Sequence, residues 1–382
     1  MRFSLFSSAL VSALVGYGST IALLLSAGAA LGATPAQSAS WVFAICLAKG
    51  LTSGILSSYT RVPVVLAWST PGLALIAASD GITMAEAVGA FLLAAGMIVL
   101  TGAWRPLARL VQRIPDGIAA GMLAGVLLPF CLPLTKAIEN LPQLVLPMII
   151  VFTLVRLKNA AFAVLASLAT GLALAFFLGA ADLPSLTLAL PKLVLTAPEF
   201  RLSVLVGLGV PLYLVTMASQ NLPGFAVLRA AGYTPPVGPA LIGTGAASLL
   251  SAFAGAHTIS MAAITAAICL GDDTHPDKAQ RWKVGIAYAG FWVLLGFCGP
   301  LIIPIITALP PALVAALVGL ALLGPLMGAA TGAFAQPEQR FAGLVTLVTT
   351  ASSVSFFGIG AAFWGLLAGL TVFALEQFAK KH

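Results

Sequence analysis

Apolar residues along this chain run in long blocks separated by short polar or basic stretches. They do not alternate with polar residues as strands of a membrane barrel would. A block of about 20 apolar residues is the length a helix needs to cross the ~30 Å hydrocarbon core of a bilayer. The blocks predict fourteen membrane segments, near residues 5–31, 39–57, 62–79, 84–103, 117–134, 141–155, 160–178, 200–221, 237–253, 255–271, 283–306, 310–330, 339–354 and 358–378. Several are short for a full crossing, and the third and tenth are the least regular.

Composition narrows the class. Of 382 residues, 60% are hydrophobic and 8% charged, and the mean hydropathy is +1.08. Soluble domains carry about 25% charged residues, so this chain cannot cover its surface with charge. Disorder requires the opposite balance of low hydrophobicity and high charge. The 38 Gly and 24 Pro suit membrane helices that pack closely, kink and break. The expected fold class is an all-α polytopic membrane protein. The first block resembles a signal peptide, but it carries Gly16, Tyr17, Gly18 and Thr20 and its pattern recurs later, so it reads as the first span.

The formal charge of +7 forms no contiguous basic patch, so no nucleic-acid partner is expected. Basic residues punctuate the apolar blocks, as loop anchors do. With the N-terminus in the cytoplasm, 14 of the 18 Lys and Arg fall inside and 3 outside, namely Lys136, Lys192 and Arg201. Lys49 falls within the second segment, and the expectation is that it snorkels to an interface. The predicted location is therefore multi-pass, with both termini cytoplasmic. Cys46, Cys131, Cys269 and Cys298 lack metal-ligand spacing and read as small buried residues.

The chain repeats near its midpoint. The run from Ser12 to Gly18 (SALVGYG) reappears from Ser203 to Gly209 (SVLVGLG), and the same offset of 191 places Ser69 on Ser260. Two repeats, 1–191 and 192–382, hold seven segments each. An odd number inverts the second relative to the first, the layout of many secondary transporters.

Such transporters bind substrate near the midplane, where broken helices aim N-terminal N–H groups and a positive dipole end at it. The third segment has the required pattern. An extended β-branched run, 62–67, precedes Trp68, and Ser69-Thr70-Pro71-Gly72 then reads as a capped helix start. In the tenth segment, His257, Thr258, Ile259 and Ser260 lead into a second short helix whose cap those hydroxyls would supply. The eighth segment holds Thr216, Ser219, Gln220 and Asn221, and Tyr213 and Gln220 share one face with Thr216 or Met217. These amides and hydroxyls serve equally as substrate ligands or as interhelical hydrogen bonds. Tyr17 is the counterpart in the first segment. His257 is the one histidine inside an apolar segment, which makes it either the proton-exchanging candidate or a satisfied structural side chain. Gly117, Gly121 and Gly125, four residues apart, form a close-packing face after the inner anchors Arg105, Arg109 and Arg113. No phosphate-binding loop, zinc-protease motif or arginine ladder is present. No catalytic residue, metal or cofactor is expected.

The run from Thr216 to Tyr233 (TMASQNLPGFAVLRAAGY) and that from Ala256 to Cys269 (AHTISMAAITAAIC) resemble the BenE-type benzoate/proton symporter family, and the resemblance spans essentially the whole chain. It implies proton-coupled import of benzoate or a related aromatic carboxylate across a bacterial inner membrane. It also implies kinship in fold with uracil, purine and sulfate-permease-type transporters. In that fold a core, here 1–104 and 200–306, moves against a gate, here 105–180 and 310–382. Substrate sits between the third and tenth segments, each a short strand plus half helix. The implied ligands are Tyr17, Trp68, Ser69, Thr70, Gly72, Thr216, Gln220, Asn221, Thr258, Ile259 and Ser260, with Phe253 against the ring and His257 carrying the proton. The gate leaves room for a homodimer interface. A nucleobase or inorganic-anion transporter of the same fold, or a passive uniporter, stays open.

Overall fold

The computed structural model describes residues 3–104, 106, 114–182, 190–262, 264–271, 274–354, 356–357 and 359–379. Arg2, Arg105, Arg109, Arg113, Lys380 and Lys381, six of the 14 basic residues counted above as inside, lie outside them. The elements are α1 (Phe3–Gly18), α2 (Ile21–Ala30), α3 (Pro35–Thr60), β1 (Leu66–Trp68), α4 (Thr70–Ala77), α5 (Met84–Ala103), α6 (Asp116–Cys131), α7 (Pro133–Asn140), α8 (Pro142–Lys158) and α9 (Ala160–Phe177). The second half holds α10 (Leu202–Arg229). It continues with α11 (Val237–Ala252), β2 (Ile259–Met261), α12 (Ile264–Leu270), α13 (Lys283–Phe297), α14 (Gly299–Thr307), α15 (Pro311–Ala335), α16 (Arg340–Ala351) and α17 (Ala361–Ala379).

Seven helical stretches among the described residues are long and apolar enough to cross a membrane, and broken or half helices and two short strands complete the chain. The protein is therefore a polytopic α-helical membrane protein. Its side chains sort as a lipid solvent demands. Leu146, Ile150, Leu154 and Leu157 lie along one exposed face of α8, whereas Ser53, Ser57, Thr216, Thr244 and His257 are buried between helices. The block read as 283–306 is two helices, bent by 59° between Phe297 and Gly299. The first block breaks at Ser19–Thr20, where the Thr20 hydroxyl donates to the Gly16 carbonyl.

The third segment abandons the helix where Pro63 removes a donor and Arg61 adopts φ 56°, and the tenth where Gly255 adopts φ 88°. Bare backbone inside a bilayer must find partners. The two strands supply them to each other as an antiparallel pair, with Leu66 opposite Met261, Ala67 opposite Ser260 and Trp68 opposite Ile259. Side chains satisfy the outer groups. The Tyr288 hydroxyl donates to the Leu66 carbonyl at 2.7 Å, and the Met261 and Ile259 N–H groups donate to Asn221 Oδ1 at 2.9 Å and Ser248 Oγ at 2.8 Å. Ser57 Oγ accepts from the Val64 N–H at 2.9 Å.

In the sheet Ser260 lies opposite Ala67, two residues before Ser69, and the two strands begin 193 positions apart. Elsewhere the close-packing prediction holds. A Cβ on Gly121 would collide with the Gly343 carbonyl oxygen, and one on Gly125 would lie 2.6 Å from that of Leu347, so α6 and α16 touch backbone to backbone.

Candidate functional site

A cavity of about 920 Å³ separates the two-stranded centre from α6, α8 and α15. One wall is built from Thr20, Lys49, Trp68, Thr70, Pro71, Gln220 and Tyr288. The opposite wall is mostly small and apolar, with Ala119, Ala120, Leu123, Ala321, Gly324 and Gly328. Phe152 and Arg156 of α8 and the exposed Asp116 at the start of α6 also line it. The size and the mix of apolar walls with few polar groups suit a small organic ligand.

Of the sequence-predicted residues, Trp68, Thr70 and Gln220 face this cavity. Gln220 lies in a π-helical turn, Met217–Asn221, one of two in α10. The extra residue in such a turn rotates the following side chains relative to a regular helix. It lets Gln220 line the cavity while Asn221 turns to β2. Trp68 is held by its indole N–H, which donates to Thr20 Oγ1 at 2.7 Å.

Ser69, Thr216 and Thr258 form a buried hydroxyl chain behind the wall. Ser69 Oγ caps α4 by accepting from the Gly72 N–H at 3.1 Å, and Thr216 Oγ1 donates to it at 3.0 Å. The Thr216 proton being used, the Thr258 hydroxyl donates to Thr216 at 2.8 Å. A Cβ on Gly72 would lie 2.6 Å from a Leu212 methyl and 2.9 Å from the capping Ser69 Oγ, so glycine leaves room for the cap. The α4 N-terminus is thus largely engaged. Pro71 has no N–H, the Gly72 N–H goes to Ser69 Oγ and the Leu73 N–H to the Ser69 carbonyl. The expected capping of the tenth half helix by its hydroxyls is not seen. Thr258 turns to Thr216, and Ser260 Oγ reaches back to the Ala67 carbonyl at 3.5 Å.

Other candidates lie outside the cavity lining. Ile259 is a strand residue paired with Trp68. Asn221 is fully buried and pins the Met261 N–H. Tyr17 packs its ring 6.0 Å from those of Trp68 and Trp292. Phe253 is 40% exposed at the end of α11, away from the predicted ring contact. His257 is fully buried, with both ring nitrogens occupied. Nδ1 accepts from the Trp41 indole N–H at 3.1 Å, which leaves Nε2–H to donate to the Ser69 carbonyl at 3.2 Å.

Lys49 overturns its expectation. It does not snorkel but is 1% exposed and lines the cavity. Its Nζ lies 3.0 Å from the ring centroid of Trp292 and 4.1 Å from that of Trp68. Sequence reasoning missed this side chain because the partner rings lie 19 and 243 positions away. Its position mid-way in an apolar helix was the available signal. Among the described residues no group of three or more His, Cys, Asp or Glu could hold a metal ion.

Residues 1–375 match the family model described as benzoate membrane transport protein, BenE. The chain is 38% identical over 362 residues to "Inner membrane protein YdcO" of Escherichia coli (strain K12), covering 94% of this chain and 92% of that protein. It is 36% identical over 364 residues to the "Benzoate membrane transport protein" of Acinetobacter baylyi, covering 95% and 92%. In fold it is similar to the transmembrane domain of the cyanobacterial bicarbonate transporter BicA, with a TM-score of 0.61 at 14% identity over 97% of this chain and 98% of that one. The murine anion transporter Slc26a9 in its inward-facing state gives 0.60 at 12% identity, over 100% of this chain and 69% of that one.

Proposed function

This chain belongs to the benzoate membrane transport protein family, and on that premise we propose that it imports benzoate or a related aromatic carboxylate together with protons by alternating access. It is a transporter and not an enzyme. The observation that carries the substrate reading is the cavity, in which the buried cationic side chain of Lys49 stands beside the ring of Trp68 and on the same wall as Thr70 and Gln220, with Arg156 also in the lining. An aromatic carboxylate needs that combination of a flat apolar contact and a few donors.

In this reading the ring lies against Trp68, with Tyr17 packed behind it. Thr70 and Gln220 donate to the carboxylate. Ser69, Thr216 and Thr258 hold the half helix in register, and Gly72, Asn221, Ile259 and Ser260 shape the wall. His257 fixes the Ser69 cap rather than carrying the proton.

Fourteen spans in two inverted repeats, 1–191 and 192–382, fit the element order. Two helix contacts are in keeping with that layout. Gly18 of α1 packs on Leu165 of α9, and Gly207 of α10 packs on Gly360 just before α17, so in each half the first helix meets the last. The cavity then separates the core, 1–104 and 200–306, from the gate, 105–180 and 310–382. Rocking one against the other would expose the site alternately. Asp116 and Arg156 line it at the predicted cytoplasmic ends of their helices, which corresponds to an inward-open form in a bacterial inner membrane with both termini cytoplasmic. The gate also offers the face for a second copy of the chain.

The test is uptake of labelled benzoate into proteoliposomes with and without an inward proton gradient. Accumulation above equilibrium, blocked by excess benzoate and not by uracil or sulfate, is the expected result. Uptake that only equilibrates would make the protein a uniporter. Competition by uracil or sulfate would replace the substrate.

A further inference from the structure

We propose that Lys49 is the counter-ion of the transported anion and the residue that selects a carboxylate over a neutral ring compound. The inference rests on the aromatic-carboxylate reading for its probe and on the geometry of Lys49 for its content.

The side chain is placed by close helix packing. A Cβ on Gly50 would lie 2.9 Å from Trp292 Cβ and 3.2 Å from the Ala289 carbonyl oxygen, so α3 and α13 approach at glycine distance. That approach lays the Trp292 indole over the Lys49 amine, and Trp68 closes the box from β1, its ring 5.2 Å from that of Trp292. The box provides cation–π contact but no counter-charge. Among the described residues the single Lys/Arg–carboxylate ion pair is Arg201–Glu86, and Lys49 Nζ has no hydrogen-bond acceptor. The titratable groups round the box are the thiol of Cys46 on the same helix, the phenols of Tyr17 and Tyr288 and the imidazole of His257, none of them a carboxylate. The Tyr17 hydroxyl is buried there without a partner as well.

Buried polar groups in native proteins are almost always paired, and an unpaired buried charge is among the costliest features a fold can carry. A lysine retained only for packing would be replaceable by an apolar chain at no loss. The Lys49 amine instead faces the cavity, where a carboxylate would supply the missing charge and accept its N–H bonds. The α4 N-terminus, whose donors Ser69 already takes, contributes its dipole and Thr70 beside it.

The experiment compares benzoate with its neutral isostere benzamide for equilibrium binding to purified wild type, Lys49→Met and Lys49→Gln, with thermal unfolding measured on each. Lys49→Met is expected to fold with unchanged or raised Tm, since an apolar chain of similar length removes a buried charge. Its benzoate affinity is expected to fall about 10- to 100-fold, the worth of one charge-assisted hydrogen bond. Benzamide binding should not weaken. Benzoate affinity within twofold of wild type in a folded variant overturns the proposal. Should neither variant fold, labelling of Lys49 in wild type by a small amine-reactive anhydride decides. Slower labelling with benzoate than with benzamide supports the proposal, and equal rates overturn it. The two readings fail separately. Wild type that ignores benzoate but binds bicarbonate or sulfate through Lys49 overturns the aromatic substrate and keeps the counter-ion. Wild type that binds a neutral nucleobase, with no anion depending on Lys49, overturns the counter-ion.

Discussion

Thr216 Oγ1 donates to Ser69 Oγ at 3.0 Å, joining the helix that carries Gln220 to the residue that caps the half helix. The contact links elements 147 positions apart and is fully buried. It ties together the two elements that carry Gln220 and Thr70 on the polar wall of the cavity.

Thr216→Val keeps shape and removes the hydroxyl. It should cost about 1–3 kcal/mol, because the Ser69 and Thr258 hydroxyls each lose a buried partner. Thermal unfolding in detergent measures this. A double-mutant cycle with Ser69→Ala should show coupling of roughly 0.5–3 kcal/mol, and strict additivity would mean that the hydroxyl chain is not one unit.

His257→Ala should destabilise by roughly 2–4 kcal/mol, since the Trp41 indole N–H and the Ser69 carbonyl are both orphaned. His257→Gln should recover part of that loss. Uptake should fall by the same factor across the pH range and keep its dependence on the proton gradient. A folded variant that transports without that dependence would return the histidine to the proton path.

Gly121 and Gly328 separate packing from volume. A Cβ on Gly121 meets the Gly343 backbone, whereas one on Gly328 meets nothing within 4 Å and adds to the cavity wall. Gly121→Ala should destabilise by about 1–3 kcal/mol through overpacking. Gly328→Ala should be neutral or stabilising by up to about 1 kcal/mol, from helix propensity. Gly328→Trp should fold and block uptake by filling the cavity. Transport at the wild-type rate in that variant would place the substrate path elsewhere.

Trp68→Phe keeps a ring against the cavity but removes the indole N–H that donates to Thr20 Oγ1 at 2.7 Å, leaving that hydroxyl only its bond to the Gly16 carbonyl. A stability loss of about 1 kcal/mol and a modest rise in benzoate KM are expected, while Trp68→Ala should raise KM by tenfold or more. Equal KM values for the two would remove Trp68 from ring binding.

Much of this protein was determined by sequence alone, because a bilayer imposes simple rules. Apolar block length, the Pro63 and Ser69–Gly72 signals and the four-residue glycine spacing each act locally, so the polytopic membrane class, the start of α4 and the α6 packing face could be read from neighbours in the chain. Tertiary structure decided which polar side chains meet. Asn221 and Gln220 are adjacent, yet a π-helical turn sends one to a strand N–H and the other to the cavity. Ser260 pairs with Ala67 and not Ser69, because strand register follows hydrogen bonding and a shift of two residues leaves the apolar pattern unchanged. Lys49 carries the clearest difference. Its depth depends on glycine contacts between α3 and α13 and on two tryptophans distant in sequence, and a side chain's dielectric surroundings are a property of the packed fold rather than of its neighbours along the chain.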